Sequence, residues 1–101
     1  MRLSSAQQQA IAESIRETFG PGAKTFLFGS RTNDSLYGGD IDLLVEVPAL
    51  GAETLVQKIR AVGTIQRRIG EQKIDLVVTD GSPEQEAQLI VRNARKQGVM
   101  L

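Results

Sequence analysis

The stretch Asp40–Pro48, DIDLLVEVP, decides how the rest of the chain is read. Two acids separated by one isoleucine open a run that is apolar apart from Glu46, follows Gly38-Gly39 and stops at a proline. Such a run is a strand, with its acids at the first residues. Residues i and i+2 of a strand share a face, so Asp40 and Asp42 project together while Ile41 goes to the opposite side. At a rise of about 3.3 Å per residue their Cα atoms lie roughly 6 to 7 Å apart. That spacing lets both carboxylates grip ions between them, and two metals about 3.5 to 4 Å apart form the clamp of phosphoryl and nucleotidyl transfer.

Toward the C-terminus a similar pattern recurs. QKIDLVVT, Gln72–Thr79, alternates Ile74, Leu76 and Val78 against Lys73, Asp75, Val77 and Thr79, and reads as a third strand. By alternation Asp75 leaves the core face. If this strand lies beside Asp40–Val47, three carboxylates converge. Each close pair of like charges costs several kcal/mol at an effective dielectric of about 20, and a bound divalent cation is the natural remedy. Toward the N-terminus, KTFLFGS, Lys24–Ser30, is a buried strand running into a turn. There Gly29 lets the backbone approach a ligand, and the Ser30 hydroxyl and N–H donate to phosphate oxygens. Arg31 beside them either neutralises phosphate charge or is a solvated turn residue.

Helical periodicity fills the remaining segments. Ala6, Ala10, Ile11, Ile15 and Phe19 recur at helical spacing from Ser4 to Phe19, with Ser4 or Ser5 as cap and Gly20-Pro21 as stop. Residues 52 to 69 place Leu55, Ile59, Val62 and Ile69 near one helical face, with Gly63 in mid-pattern as a point of bending. Ser82 offers an N-cap, Pro83 the first helical position and Gln85 a capping-box spacing. Ala87, Ile90, Val91 and Ala94 are the expected buried stripe of that last helix, which Gly98 ends.

The order helix, strand, strand, helix, strand, helix predicts one α+β domain over residues 1–101. Its core is a small mixed β-sheet of three to four strands with helices packed on one face. The open face is where Asp40, Asp42 and Asp75 are expected to point.

Composition narrows the chemistry. Among 101 residues there is no cysteine and no histidine, so any metal is held by oxygen, which favours hard cations such as magnesium or manganese. Aromatic content of 4% without tryptophan argues against stacking on nucleobases, and balanced totals of twelve basic and twelve acidic residues argue against broad phosphate neutralisation. Direct nucleic-acid binding is therefore not expected. Residues 1–50 hold four basic and six acidic residues, and residues 51–101 hold eight and six. The cluster Lys58, Arg60, Arg67, Arg68 and Lys73 is read as a solvated helix face. No signal-peptide h-region or membrane-length apolar run occurs, so a cytoplasmic location is expected.

FGSRTNDSLYGGDIDLLVE followed by KIDLVV resembles the polymerase beta-like nucleotidyltransferase superfamily, and the short chain resembles its minimal nucleotidyltransferase (MNT-type) branch. The resemblance implies that Asp40 and Asp42 hold two magnesium ions with the triphosphate of ATP. It implies that Asp75 completes the catalytic metal site and helps activate the attacking hydroxyl. Gly29 and Ser30 would hold the β and γ phosphates, and Arg31 matches an arginine often found after that pair. It also implies a small all-helical HEPN-type partner, related as toxin to this chain as antitoxin, with AMP transferred to a partner tyrosine. Many relatives carry a second arginine and a serine where this chain has Asn33 and Gly39, departures that weaken phosphate contacts. Two further readings are a non-catalytic antitoxin that only covers its partner, and a subunit of an aminoglycoside-type nucleotidyltransferase.

Overall fold

The computed structural model describes residues 3–29 and 40–101. Within them the chain is α+β: α1 (Ser5–Phe19), β1 (Lys24–Phe28), β2 (Ile41–Glu46), α2 (Thr54–Ile69), β3 (Ile74–Thr79), α3 (Pro83–Glu86), α4 (Leu89–Gln97) and β4 (Val99–Met100). The sheet is mixed, in the order β3-β2-β1-β4. β1 is antiparallel to β2 and β4, whereas β2 and β3 run parallel. Parallel neighbours need a crossover, and α2 supplies it.

Local chemistry sets the helix ends. The Ser4 hydroxyl accepts from the Gln7 N–H while the Gln7 side chain accepts from the Ser4 N–H, and α1 stops at Gly20, whose φ is 102°. The Ser82 hydroxyl caps α3, and Pro83 follows at its first position. α2 ends at Gly70 with Arg67 and Arg68 in its last turn, where cations favour the helix dipole.

Strand alternation divides the core. Leu27, Ile41, Leu43, Val45, Ile74 and Leu76 form one face of the sheet and pack with Ile11 and Ile15 of α1 and Ala61 and Ile65 of α2. On the opposite face Phe28 and Leu44 are buried with Val91 and Ala94 of α4, flanked by Phe26 and Val77. Here the structure corrects the expectation that helices pack on one face: α4 covers part of the second. Arg95 fastens it there, donating to Glu46 on β2 at 2.5 Å and to Glu86 on α3 at 2.8 Å, with its guanidinium 5.4 Å from the Phe26 ring centroid.

Two local expectations are also corrected. The last helix is two, because the chain leaves helical geometry at Gln88, and Ala87 and Ile90 are exposed while Val91 and Ala94 are buried. Of the stripe expected on α2, Val62 and Ile69 pack against the core, but Ala61 and Ile65 are the fully buried residues and Leu55 and Ile59 are each 65% exposed. Beyond Gly98 the chain adds β4, pairing Met100 with Phe26 and Val99 with Leu27.

Candidate functional site

Because β2 and β3 are parallel and in register, Asp42 is the partner of Asp75. Asp42, Leu44 and Glu46 alternate onto the α4 face of β2, and Asp75, Val77 and Thr79 onto the same face of β3. α4 covers Leu44 farther along. The acids occupy the uncovered end where both strands begin. Asp42 is half-buried and Asp75 exposed.

The Asp42 carboxyl is pushed above the ordinary carboxylate range, first by burial and then by the charges of Asp75 and Asp40, with a side-chain hydrogen bond to Asp75 acting the same way. The positive charge of Lys73 opposes this. Lys73 Nζ sits 3.3 Å from Asp40 Oδ2 and is itself raised by that contact and by the neighbouring carboxylates. Ile41 N–H donates to the Lys73 carbonyl at 3.0 Å, which ties the start of β2 to the residue before β3.

Among the described residues, no three acidic side chains are gathered as a set that could hold a metal ion. Asp42 and Asp75 are the close pair, and Asp40 is engaged by Lys73. The electrostatics nevertheless join all three, because Asp42 is raised by both of the others. An all-oxygen donor set in which one carboxyl resists ionisation, first through burial and then through its acidic neighbours, fits a hard divalent cation.

Gly29 lies against this pair. Its φ is 77°, and a Cβ there would collide with the Asp42 carboxylate. Its N–H donates to Gln97 Oε1 at the end of α4, at 3.2 Å. The first residue of the expected phosphate turn is therefore placed on Asp42, where its positive φ favours glycine and any larger residue would displace the carboxylate. Ser30 and Arg31, together with Asn33 and Gly39, lie outside the described residues.

Two contributors were not singled out from sequence. Lys73 was grouped with a solvated basic face, although its alternation with Asp75 already placed it on the acids' side. Gln97 has no sequence signal, since its role follows from the placement of α4. Grooves of about 500 Å³ beside Leu50, Leu55 and Val78, and about 430 Å³ beside Gln66 and Lys73, do not touch Asp42 or Asp75.

No protein-family model matches this chain, and no curated protein matches it. No described helix is long and apolar enough to cross a membrane.

Proposed function

We propose that this chain is a metal-dependent nucleotidyltransferase that moves AMP from ATP onto a hydroxyl. The observation that carries the reading is the in-register pair Asp42 and Asp75 with the Gly29 backbone pressed against it. A bare carboxylate pair is costly, and a glycine that brings main chain onto it makes sense where a phosphate must lie close to a cation. The resemblance to the polymerase beta-like superfamily supplies the reaction class.

Asp40, Asp42 and Asp75 would hold two magnesium ions, or manganese, through oxygen. When bound, these supply positive charge to the triphosphate and the departing pyrophosphate. Gly29 and Ser30 would hold the β and γ phosphates, with Arg31 beside them to offset their charge. Asp75, the exposed member of the pair, accepts the proton of the attacking hydroxyl. That oxygen bonds to the α-phosphorus, the bond to the β-phosphate bridge breaks, and pyrophosphate leaves. The acceptor is proposed to be a tyrosine of a small all-helical HEPN-type partner, which makes the chain an antitoxin.

The test is transfer of label from ATP tagged at its α-phosphate, with magnesium and the helical product of the adjacent gene. Wild type labels the partner, and Asp42→Asn or Asp75→Asn lowers labelling by about 100-fold or more, as for loss of a group stabilising transition-state charge. Absence of labelling by wild type sinks the reading. Manganese binding with a non-hydrolysable ATP analogue, read by electron paramagnetic resonance, separates a failed donor site from a wrong acceptor.

A second reading, a non-catalytic module that neutralises its partner by covering it, is favoured by the apolar side chains that α2 leaves in solvent. It forecasts that neutralisation in cells survives replacement of all three aspartates by alanine.

A further inference from the structure

α2 presents two apolar stripes, one buried and one that leaves the core at the half-buried Val62. Ala61 and Ile65 enter the core, while Leu55 and Ile59 are each 65% exposed and Val56 is 55% exposed. Leu55, Ile59 and Val62 follow the i, i+4, i+7 spacing by which one helix meets another. They are not a flat surface. With Lys58, Gly63 and Gln66 they line a groove of about 400 Å³, which joins the groove beside β3 through Leu55 and Lys58. At Gly63 an added Cβ would meet only the far end of Arg67, so glycine is not required by the fold there and leaves the helix backbone approachable.

The charges around the stripe have one sign. At about 100° per residue, Lys58 falls on one side of it and Arg60 and Arg67 on the other. No described carboxylate pairs with any of the three, although Arg68 of the same helix is paired with Glu17. Glu53 stands at the start of the helix, and no described acid lines the groove itself. A second copy of this chain would set cations against cations across the contact. A helix with acidic flanks would set opposite charges there.

We propose that the outward face of α2 is the docking site for an amphipathic helix of another protein, one whose apolar ridge is flanked by carboxylates. The site is independent of the transfer reading, because it uses none of the three aspartates and lies on a different element.

The test uses two stapled helical peptides, one with leucines at i, i+4 and i+7 and glutamates on both flanks, the other with lysines in place of the glutamates. The acidic peptide is expected to bind about tenfold or more tightly than its twin, a difference of about 1.4 kcal/mol, and to weaken as salt rises. Amide shifts should centre on residues 54–69 and on Val77 and Val78. Ile59→Asp and Gly63→Met, both outside the packed core, should each weaken binding about tenfold with an unchanged circular dichroism spectrum. Asp42→Asn should bind like wild type, whatever the labelling assay shows. Equal affinity for the two peptides, no binding, or shifts centred elsewhere overturns the proposal. So does a wild-type dimer in sedimentation that Ile59→Asp converts to a monomer, since the second copy would then be the occupant.

Discussion

At Gly29 the backbone takes a conformation that other residues adopt at a cost of roughly 1 to 2 kcal/mol, and the space a side chain would need is filled by the Asp42 carboxylate. Gly29→Ala therefore carries both penalties, and urea denaturation should register a loss of about 2 kcal/mol or more. Asp42 itself behaves oppositely. Its folded-state pKa is raised, so the folded protein holds a proton that the unfolded chain has released. Stability falls as pH climbs from the ordinary value of 3.8 through the raised one. Asp42→Asn should flatten that part of the pH–stability curve. At neutral pH it should stabilise the fold by up to about 1 kcal/mol once solvent screening is allowed for, while labelling is lost. A variant that is less stable than wild type across that range would contradict the cost assigned to burying the Asp42 charge beside Asp75 and Asp40. The acids were legible because period-two alternation is read directly from sequence and their strands are apolar. Lys73 was obscured by basic neighbours on a helix it does not belong to, and Gln97 by having no local pattern at all.

Among the elements, α4 is held to the sheet by the buried Val91 and Ala94 and by Arg95, which joins α4 to β2 and α3. Arg95→Met leaves Glu46 and Glu86 without their main partner. Chemical denaturation should show a loss of about 2 kcal/mol, the range for a hydrogen-bonded charge. Glu86 is depressed below its ordinary value of 4.5, first by the Arg95 hydrogen bond and also by Thr79. Its contribution is complete above that value and is lost as pH falls through the lowered one, the reverse of Asp42. Glu86→Gln should remove this acid-side loss, which a thermal melt series across acidic pH would detect. α1 was readable because its cap, buried stripe and terminal glycine agree. α2 was half-readable: Leu55, Ile59 and Val62 have the right period, but so do Ala61 and Ile65, and hydropathy favours the larger set. The small Ala61 is the residue that the core accepts at zero exposure. The break at Gln88 has no glycine or proline to announce it.

Over the whole molecule, β2 is one of two interior strands on which both apolar layers meet, with Leu43, Leu44 and Val45 at zero exposure. β4 contributes two edge residues that are largely exposed. Native-state hydrogen exchange should accordingly find the β2 amides among the slowest, opening only with global unfolding, and Val99 and Met100 among the fastest of the sheet. Comparable protection in β2 and β4 would mean that the sheet does not open from this edge. The α+β class and the mixed sheet followed from the order of periodic segments. The wrapping of α4 onto the second face did not, because where a helix packs depends on how its connections cross the sheet.

The parallel register of β2 and β3 makes the Asp42–Asp75 pair inseparable from the strands that carry the core. A ligand seated there grips the core strands themselves and reports on the cooperative unit as one body. Cation and nucleotide together, at 100 times their dissociation constant, should raise the unfolding free energy of the whole domain by about 2.7 kcal/mol. A melting-temperature screen of metals and triphosphates thus becomes a direct assay for the occupant, with no acceptor in the tube.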